Sequence, residues 1–368
     1  MHAELFFTAD RQRERSVELK SLFYSSVRGW ALLAVLAVPI SATNCSSSEN
    51  NQTGTGGTGT QGGTGGASST SATVFTLLAK SVGRFFVKLN STDPANTIVS
   101  GVVKSGADPN SYVETPVSTA GGCTLFKLSA PSCANANNGD GCDTSAEVCT
   151  GTDTCTKRPT NKNVGVVQVT GVETTTGTNS FELMNVSNSY NTPGDVLLKY
   201  PGISESSAIK VSAAGADVPA FEVTAKGISP LSLGSASYQI GTTAPLTVTW
   251  TVPNVSGDSR IQATVNVSHH GGSKGYIACD VADSGSLTIS AEQIAGLINM
   301  GVAGYPTLTV VRRATGTAAI AAGQVVLSVE SSVSPVFSVQ GYISCLGDET
   351  VSPCGAGQSC NVDLKLCQ

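Results

Sequence analysis

Eight of the eleven cysteines fall into two short groups, and this clustering constrains the fold more than any other feature of the sequence. Both groups are rich in Asn, Asp, Gly, Ser and Thr and poor in apolar residues, so neither can build a hydrophobic core. We therefore predict that each is a small Cys-rich module held by two disulfides. Four cysteines allow three pairings in each module. The groups are Cys133, Cys142, Cys149 and Cys155, and Cys345, Cys354, Cys360 and Cys367.

A zinc site with four cysteine ligands in each module is the alternative. Structural zinc ligands usually come in pairs with two to four residues between them, whereas the gaps in both groups are five to eight residues long. The spacing therefore favours disulfides.

Two further cysteines, Cys123 and Cys279, lie in strand-like segments outside the modules. We predict that they form a disulfide that joins two sheets. Such a bridge would close a loop of about 155 residues, which is worth about 4–5 kcal/mol in the chain-entropy model. Five disulfides form only in an oxidising compartment, so the cysteines predict export.

The N-terminal region has the layout of a secretory signal. Residues 30–40 (WALLAVLAVPI) are strongly apolar but too few to span a membrane. We assign residues 1–44 to the signal segment; because residues 1–29 mix acidic and basic side chains, a start at Val27 would give a more compact leader. Cys45 is the predicted lipidation site. Asn44 departs from the usual Gly, Ala or Ser before such a cysteine, and cleavage after Ala42 is the alternative.

Residues 45–72 contain the lipidation site and a run of Gly, Thr and Ser that cannot bury apolar area. We predict a disordered linker there. Loss of Cys45 to a lipid would leave ten cysteines, an even number that can pair completely.

Short β-rich segments separated by turn residues dominate the rest of the chain. In residues 246–252, threonines alternate with Leu, Val and Trp250, as in a strand with one buried face. The close spacing of such segments favours an antiparallel sandwich over alternating β–α units. The predicted strands are 97–103, 165–170, 195–200, 208–213, 220–225, 246–252, 261–267, 276–281, 286–289, 307–312, 324–330 and 336–340.

One helix is predicted among these strands. Ser290 and Gln293 form a capping box, an apolar stripe follows, and Gly301 ends the segment. A weaker helical pattern covers residues 75–85. The predicted fold is therefore all-β: an antiparallel immunoglobulin-like β-sandwich with one short helix and two small disulfide-stapled Cys-rich modules. Its predicted parts are 73–132 (first strands), 133–160 (Cys-rich insert), 161–344 (main sandwich) and 345–368 (C-terminal Cys-rich module).

Several chemistries are disfavoured by the sequence. A formal net charge of -5 without basic clusters argues against a nucleic-acid partner. With His2 in or before the leader, histidine catalysis would have to use His269 or His270, which follow a predicted strand where a solvated turn is the simpler interpretation. No cofactor or metal is predicted.

Calcium is a weaker alternative. Asp280 and Asp283 could provide oxygen ligands, as could Asp217, Asp258 and the loop 135–141. Plain Asx turns explain these segments equally well.

Five segments carry a resemblance to known sequences: residues 216–221 (ADVPAF), 246–250 (LTVTW), 277–281 (IACDV), 283–286 (DSGS) and the helix predicted over 290–297. They resemble exported lipoproteins of myxobacteria and their relatives, which combine a signal, a Gly/Thr-rich spacer, a sandwich domain and short Cys-rich inserts. The resemblance spans about residues 165–330. It implies a fold and a location but no activity, and it makes residues 133–155 an insertion and residues 345–367 a tail.

Together these features predict an exported, lipid-anchored cell-envelope protein at the outer membrane or cell surface, or otherwise a periplasmic or secreted one. We expect a non-enzymatic binding, adhesion or structural module. Its expected partners are a membrane, through the lipid anchor, and a surface or periplasmic protein or a glycan. The alternative is a secreted hydrolase or metal-dependent enzyme that uses His269 and His270.

Overall fold

The computed structural model describes residues 78, 80–92, 94–270, 272, 274–346 and 353–368. The predicted signal segment, Cys45 and the linker lie outside these residues. Within the described part, strands dominate and one complete α-helix occurs, α1 (Ala291–Asn299), which confirms the all-β class. None of the helical segments described is long and apolar enough to cross a bilayer.

The strands of the described part are β1 (Gly83–Asn90), β2 (Asn96–Val103), β3 (Val113–Ala120), β4 (Cys123–Ser129), β5 (Glu147–Gly151), β6 (Thr154–Lys157), β7 (Val167–Thr170), β8 (Ser180–Val186), β9 (Ser189–Asn191), β10 (Ala208–Ala213), β11 (Phe221–Lys226), β12 (Ser237–Ile240), β13 (Leu246–Thr249), β14 (Arg260–His269), β15 (Gly275–Ala282), β16 (Ser286–Ile289), β17 (Tyr305–Ile320), β18 (Gly323–Val333), β19 (Val336–Val339), β20 (Cys360–Asn361) and β21 (Leu366–Cys367).

Thirteen of these strands form one sheet in the order β11-β10-β7-β8-β9-β2-β1-β18-β17-β14-β15-β4-β3. The pairs β12–β19, β13–β16, β5–β6 and β20–β21 form small separate sheets. Most pairs are antiparallel, as predicted, but β1 lies parallel to β18 and β12 parallel to β19. The large sheet is therefore mixed and the β12–β19 sheet is parallel, because long connections, rather than hairpins, bring β18 beside β1 and β19 beside β12.

One half of the large sheet curls around a first hydrophobic cluster, core 1. Its side chains alternate along the strands, as Phe85, Val87 and Leu89 do on β1, all fully buried. The edge strand β11 contributes Phe221 to this cluster and packs against β17. The backbones meet so closely that a Cβ atom added at Gly316 would overlap the Thr224 carbonyl group.

A second cluster, core 2, lies on the other half of the sheet, where β14, β15, β4 and part of β17 form one layer. The opposite layer consists of the small sheets β13–β16 and β12–β19 together with α1, so this half is sandwich-like. Trp250 lies in core 2, as the alternation in residues 246–252 predicts. The prediction fails at the end of that segment, because the strand ends at Thr249 and Val252 is exposed.

The helix begins where the capping signal predicts. The Ser290 hydroxyl accepts a hydrogen bond from the Gln293 backbone N–H, 3.2 Å away. The Gln293 side chain has a different partner from the one a capping box provides: its amide donates to the Cys123 carbonyl, 2.9 Å away, and is buried. Gln293 therefore fixes α1 onto β4.

Two local predictions are wrong. Residues 195–200 contain no strand, because a turn in which Val196 N–H donates to the Pro193 carbonyl reverses the chain, and only Leu198 forms a bridge, with Thr174. The weak helix predicted over residues 75–85 does not reach its predicted end: Leu78 and Lys80 are helical, but residues 83–85 belong to β1 because burial alternates along it.

Candidate functional site: a cleft beside the edge strand

Ten cysteines form five disulfides, and the two modules share one pairing pattern. In each module the first cysteine joins the third and the second joins the fourth. The third and fourth also face each other across a short hairpin, β5–β6 in the first module and β20–β21 in the second. The pairs are Cys133–Cys149, Cys142–Cys155, Cys345–Cys360 and Cys354–Cys367.

The positions and oxidation state of these sulfurs test the zinc alternative. Three sulfurs of each module lie within 4.8 Å of one another. All of them are in disulfides, and zinc binds thiolates. The oxidised modules therefore offer no cysteine ligands.

Cys123 and Cys279 are bonded to each other, but the predicted joining of two sheets is wrong. They are directly opposite residues on the neighbouring strands β4 and β15 of one sheet. Both side chains point into core 2 because the register aligns them on the same face. The bridge therefore ties two strands that are remote in sequence, 156 residues apart.

Three of the four aspartates proposed as calcium ligands, Asp217, Asp280 and Asp283, have other partners. Asp280 pairs with Arg260, 2.5 Å from Nε to Oδ1, and Asp283 pairs with Arg312. An Asp217 carboxylate oxygen accepts the Asn163 backbone N–H. In the loop 135–141, the Asn137 amide donates to the Gly141 carbonyl, which is an ordinary turn contact.

The two histidines lie together at the end of β14. Their ring centroids are 4.0 Å apart, and His270 has a positive φ of 61°. Burial, and secondarily the neighbouring His270, lower the pKa of His269. Among the described residues, no group of three metal-binding side chains includes either imidazole.

A cleft of about 620 Å³ opens beside β3, the last strand of the large sheet. Its volume lies within the range of small-ligand sites. One wall is the segment that leads into β3 and the first half of that strand; the other includes Thr150 and Thr156 of the β5–β6 hairpin. The first Cys-rich module therefore forms part of a ligand-sized cleft.

Local sequence explains why the cleft lies at this edge. Pro116 has no N–H to donate, so β3 is suited to an outermost position in the sheet. The register shifts between Pro116 and Ser118, where the strand bulges. Next to β3, Phe126 of β4 stacks on Tyr276 of β15 with ring centroids 5.2 Å apart.

Four buried polar atoms at this site make no hydrogen bond of normal geometry: Asn110 Nδ2, both carboxylate oxygens of Glu114 and the Tyr276 hydroxyl. They lie close to one another, since the Tyr276 hydroxyl and the Asn110 amide both act on the pKa of Glu114, but their contacts are not well-formed hydrogen bonds. Asn110 is 8% exposed and Tyr276 5% exposed. Asn110 and Glu114 line the cleft. A cluster of polar groups that is buried but unsatisfied costs stability, and such clusters are typical of functional sites.

The electrostatics of the three groups are coupled. Burial raises the pKa of Glu114, and the nearby Tyr276 hydroxyl and Asn110 amide partly offset this rise. Burial also raises the pKa of Tyr276, and the negative charge of Glu114 raises it further. Tyr276 is therefore a neutral phenol at physiological pH, and Glu114 is a carboxyl group that is easier to protonate than usual.

Basic groups border the same region. Lys80 lines the cleft together with Asp108, and Lys104 pairs with Asp108, 2.6 Å from Nζ to Oδ1. Burial lowers the pKa of Arg84, and the charge of Asp108 opposes that shift. The charges around the cleft therefore alternate in sign rather than forming a field of one sign.

Sequence reasoning did not find Asn110, Glu114 or Tyr276. The segment 113–120 (VETPVSTA) lacks an apolar alternation and contains a proline, so it carries no strand signal. Tyr276 comes from a strand that is remote in sequence and reaches the site only through the β15-β4-β3 order.

A second, smaller cleft of about 440 Å³ lies between the end of α1 and the β12–β19 pair. None of the unpartnered buried side-chain atoms of the described residues belongs to its lining. The cleft beside β3 is therefore the stronger candidate.

The fold and the site define a disulfide-bonded, all-β protein with a ligand-sized cleft lined by both polar and apolar groups. No protein-family model matches this chain, and no curated protein is significantly similar to it. The five disulfides fit an exported or extracellular protein.

Proposed function

We propose that this chain is an exported, lipid-anchored cell-envelope protein that acts as a non-enzymatic binding module, with the ligand held in the cleft beside β3. The observation that carries the binding role is the set of unsatisfied polar atoms on Asn110, Glu114 and Tyr276. A ligand that completed their hydrogen bonds would recover the free energy that their burial costs.

Three observations support the location and the anchor. Five disulfides require an oxidising compartment. The apolar segment 30–40 has the layout of a signal, and Cys45 follows it at the position of a lipid acceptor. The Gly/Thr/Ser-rich residues 46–72 provide a linker between that anchor and the cleft.

The immunoglobulin-like assignment belongs to the same proposal. Its support is that Trp250 lies in one hydrophobic cluster with Cys123 and Cys279, since antibody domains pack a tryptophan against a disulfide. The bridge here lies within one sheet, which departs from that pattern.

A non-enzymatic role is preferred to histidine-based chemistry because the two histidines lie outside the cleft that holds the unsatisfied polar groups. The unsatisfied polar groups belong to Asn110, Glu114 and Tyr276, and neither His269 nor His270 lines this cleft. If the double variant His269→Ala/His270→Ala abolished a hydrolytic activity of the purified protein, the enzymatic alternative would replace this proposal.

The anchor is tested by the intact mass of the mature protein made from the full-length gene in a bacterium with lipoprotein processing. The expected result is a new amino terminus at Cys45 carrying acyl groups, with loss of the acyl mass in Cys45→Ala. Cleavage elsewhere with no acyl addition would overturn the anchor.

The binding role is tested separately by hydrogen exchange. The full-length protein is mixed with envelope material divided into a protein-free glycan fraction and a protein fraction. Slower exchange in residues 107–116 with either fraction supports a binding module. Unchanged exchange with both fractions would overturn it.

A further inference from the structure

The unsatisfied groups restrict the chemistry of the ligand. The Glu114 carboxylate offers only acceptors and the Asn110 amide nitrogen only donors, while the Tyr276 hydroxyl can do both. A metal cation would satisfy Glu114 but leave the Asn110 N–H groups without a partner. An anion would satisfy Asn110 but meet the charge of Glu114. A hydroxyl group can donate to one and accept from the other through a single oxygen atom.

A backbone peptide group fits this arrangement less well. Its N–H and C=O point in opposite directions, so one peptide group cannot serve two neighbouring side chains as one hydroxyl can. Asn110 and Glu114 are such neighbours, because the Asn110 amide contributes to the pKa of the Glu114 carboxyl.

The rim has further features that suit a hydroxyl-rich ligand. Tyr112 lines the cleft and is 40% exposed, so its ring offers a flat apolar surface next to polar groups. Thr115, Thr150 and Thr156 add hydroxyl groups around it. A sugar ring presents the same combination, an apolar C–H face edged by hydroxyls.

Charge favours a neutral ligand. Lys80 and Asp108 both line the cleft, and Asp108 is already paired with Lys104. The alternating charges provide no net field for a strongly acidic or basic ligand.

We propose that the cleft beside β3 binds a neutral oligosaccharide, with Glu114 accepting from a sugar hydroxyl, Asn110 donating to the same or an adjacent hydroxyl, and Tyr112 stacking on the sugar ring. This inference rests on the proposed binding role and names its ligand class. No bond is made or broken, so both carboxyl and phenol act as hydrogen-bonding groups.

The test uses the full-length protein on an array of neutral, acidic and basic glycans, followed by calorimetry with the neutral oligosaccharides that bind. Glu114→Gln and Asn110→Asp keep side-chain size but exchange acceptor and donor atoms. Each is expected to weaken binding by about tenfold to a hundredfold. Glu222→Gln changes an exposed glutamate on β11 and is expected to leave affinity unchanged.

Folding of each variant is checked by thermal unfolding, and hydrogen exchange of residues 107–116 in the unaltered protein gives a readout that needs no variant. Slower exchange there with a neutral oligosaccharide, together with the loss in both variants, supports the inference. Binding only to charged glycans, no glycan binding, or binding that neither variant alters would overturn it.

Hydrogen exchange with the envelope fractions distinguishes failure of the sugar assignment from failure of the binding role. If the protein fraction alone slows exchange in residues 107–116, the binding role stands and the sugar assignment fails. If neither fraction nor any glycan does so, both fail.

Discussion

Arg312 and Asp283 form an ion pair, 2.6 Å from Nε to Oδ2, in which each side chain is only 1% exposed. A second guanidinium nitrogen of Arg312 lies 3.2 Å from the other carboxylate oxygen, so the pair is bidentate. Trp250 Nε1–H and the Ser259 hydroxyl also donate to Asp283, each over 2.7 Å. The network therefore connects the strand β17 to the turn after β15 and to the residue that follows β13.

Removal of the carboxylate is expected to leave the buried Arg312 charge uncompensated. Asp283→Ala should lower the free energy of unfolding by about 3–5 kcal/mol. Chemical denaturation of the purified protein under oxidising conditions measures this directly.

The matched control is Asp195→Ala, which removes an exposed aspartate. Its effect should stay within about 0.5 kcal/mol. A loss in Asp283→Ala that is no larger than in Asp195→Ala would contradict the structural role assigned to the pair.

The partner of Asp283 could not be predicted from the sequence. The sequence identifies a cluster of aspartates near residue 280, but Arg312 lies 29 residues away and reaches Asp283 only through the tertiary fold. Alternation and turn residues are local signals, and eleven of the twelve segments they predict as strands are strands; β10 and β16 have the predicted bounds. Strands with weak or no alternation, such as β3, β9 and β12, are not predicted. The parallel pairing of β1 with β18 carries no local signal, since it depends on the path of over two hundred intervening residues.

The close approach of β11 and β17 gives a second prediction. Gly316→Ala would place a methyl group on the Thr224 carbonyl, and both partners are backbone. We expect a loss of about 2–3 kcal/mol in the free energy of unfolding, the range of overpacking.

Gly194→Ala is its control, because nothing lies within 4 Å of an added Cβ there and its φ is not positive. That variant should unfold like the parent protein. Similar unfolding of Gly316→Ala and Gly194→Ala would mean that β11 does not lie against β17.

The two Cys-rich modules provide a matched pair of disulfides. Cys142–Cys155 and Cys354–Cys367 both span 13 residues and occupy the same place in their modules. The C-terminal module contributes Leu366 to core 2, whereas no residue of 133–157 belongs to either core. The C-terminal module is therefore packed into a core of the main fold, whereas the first module only lies against its surface.

Replacement of each pair by alanines should separate the two cases. The Cys354→Ala/Cys367→Ala variant is expected to lose about 2–3 kcal/mol in global unfolding. The Cys142→Ala/Cys155→Ala variant should lose less than about 1 kcal/mol globally but become cleavable by protease within residues 133–157, because only the module opens. Equal global losses would show that both modules unfold together with the cores.

The cleft could not have been found from the sequence, for reasons visible in its members. Glu114 lies in a segment without apolar alternation, and the sequence pattern does not distinguish Tyr276 from other residues of a predicted strand. The unsatisfied state of Asn110 is a property of three-dimensional burial, which no local pattern encodes.

Glu114 gives the last prediction, a pH dependence. Because burial raises its pKa above the ordinary 4.5, the folded protein holds this proton more tightly than the unfolded chain does. The destabilising effect of the charged form is therefore present above the raised pKa and disappears as the pH falls through it towards 4.5. Glu114→Gln should raise the free energy of unfolding at pH 7 by about 1 kcal/mol, the lower end for a buried polar group because Glu114 as a whole is only partly buried, and this gain should vanish near pH 4. Chemical denaturation at both pH values measures this gain. The exposed Glu222→Gln should show no such gain, and a Glu114→Gln gain that is the same at pH 4 and pH 7 would contradict a raised pKa at this carboxyl.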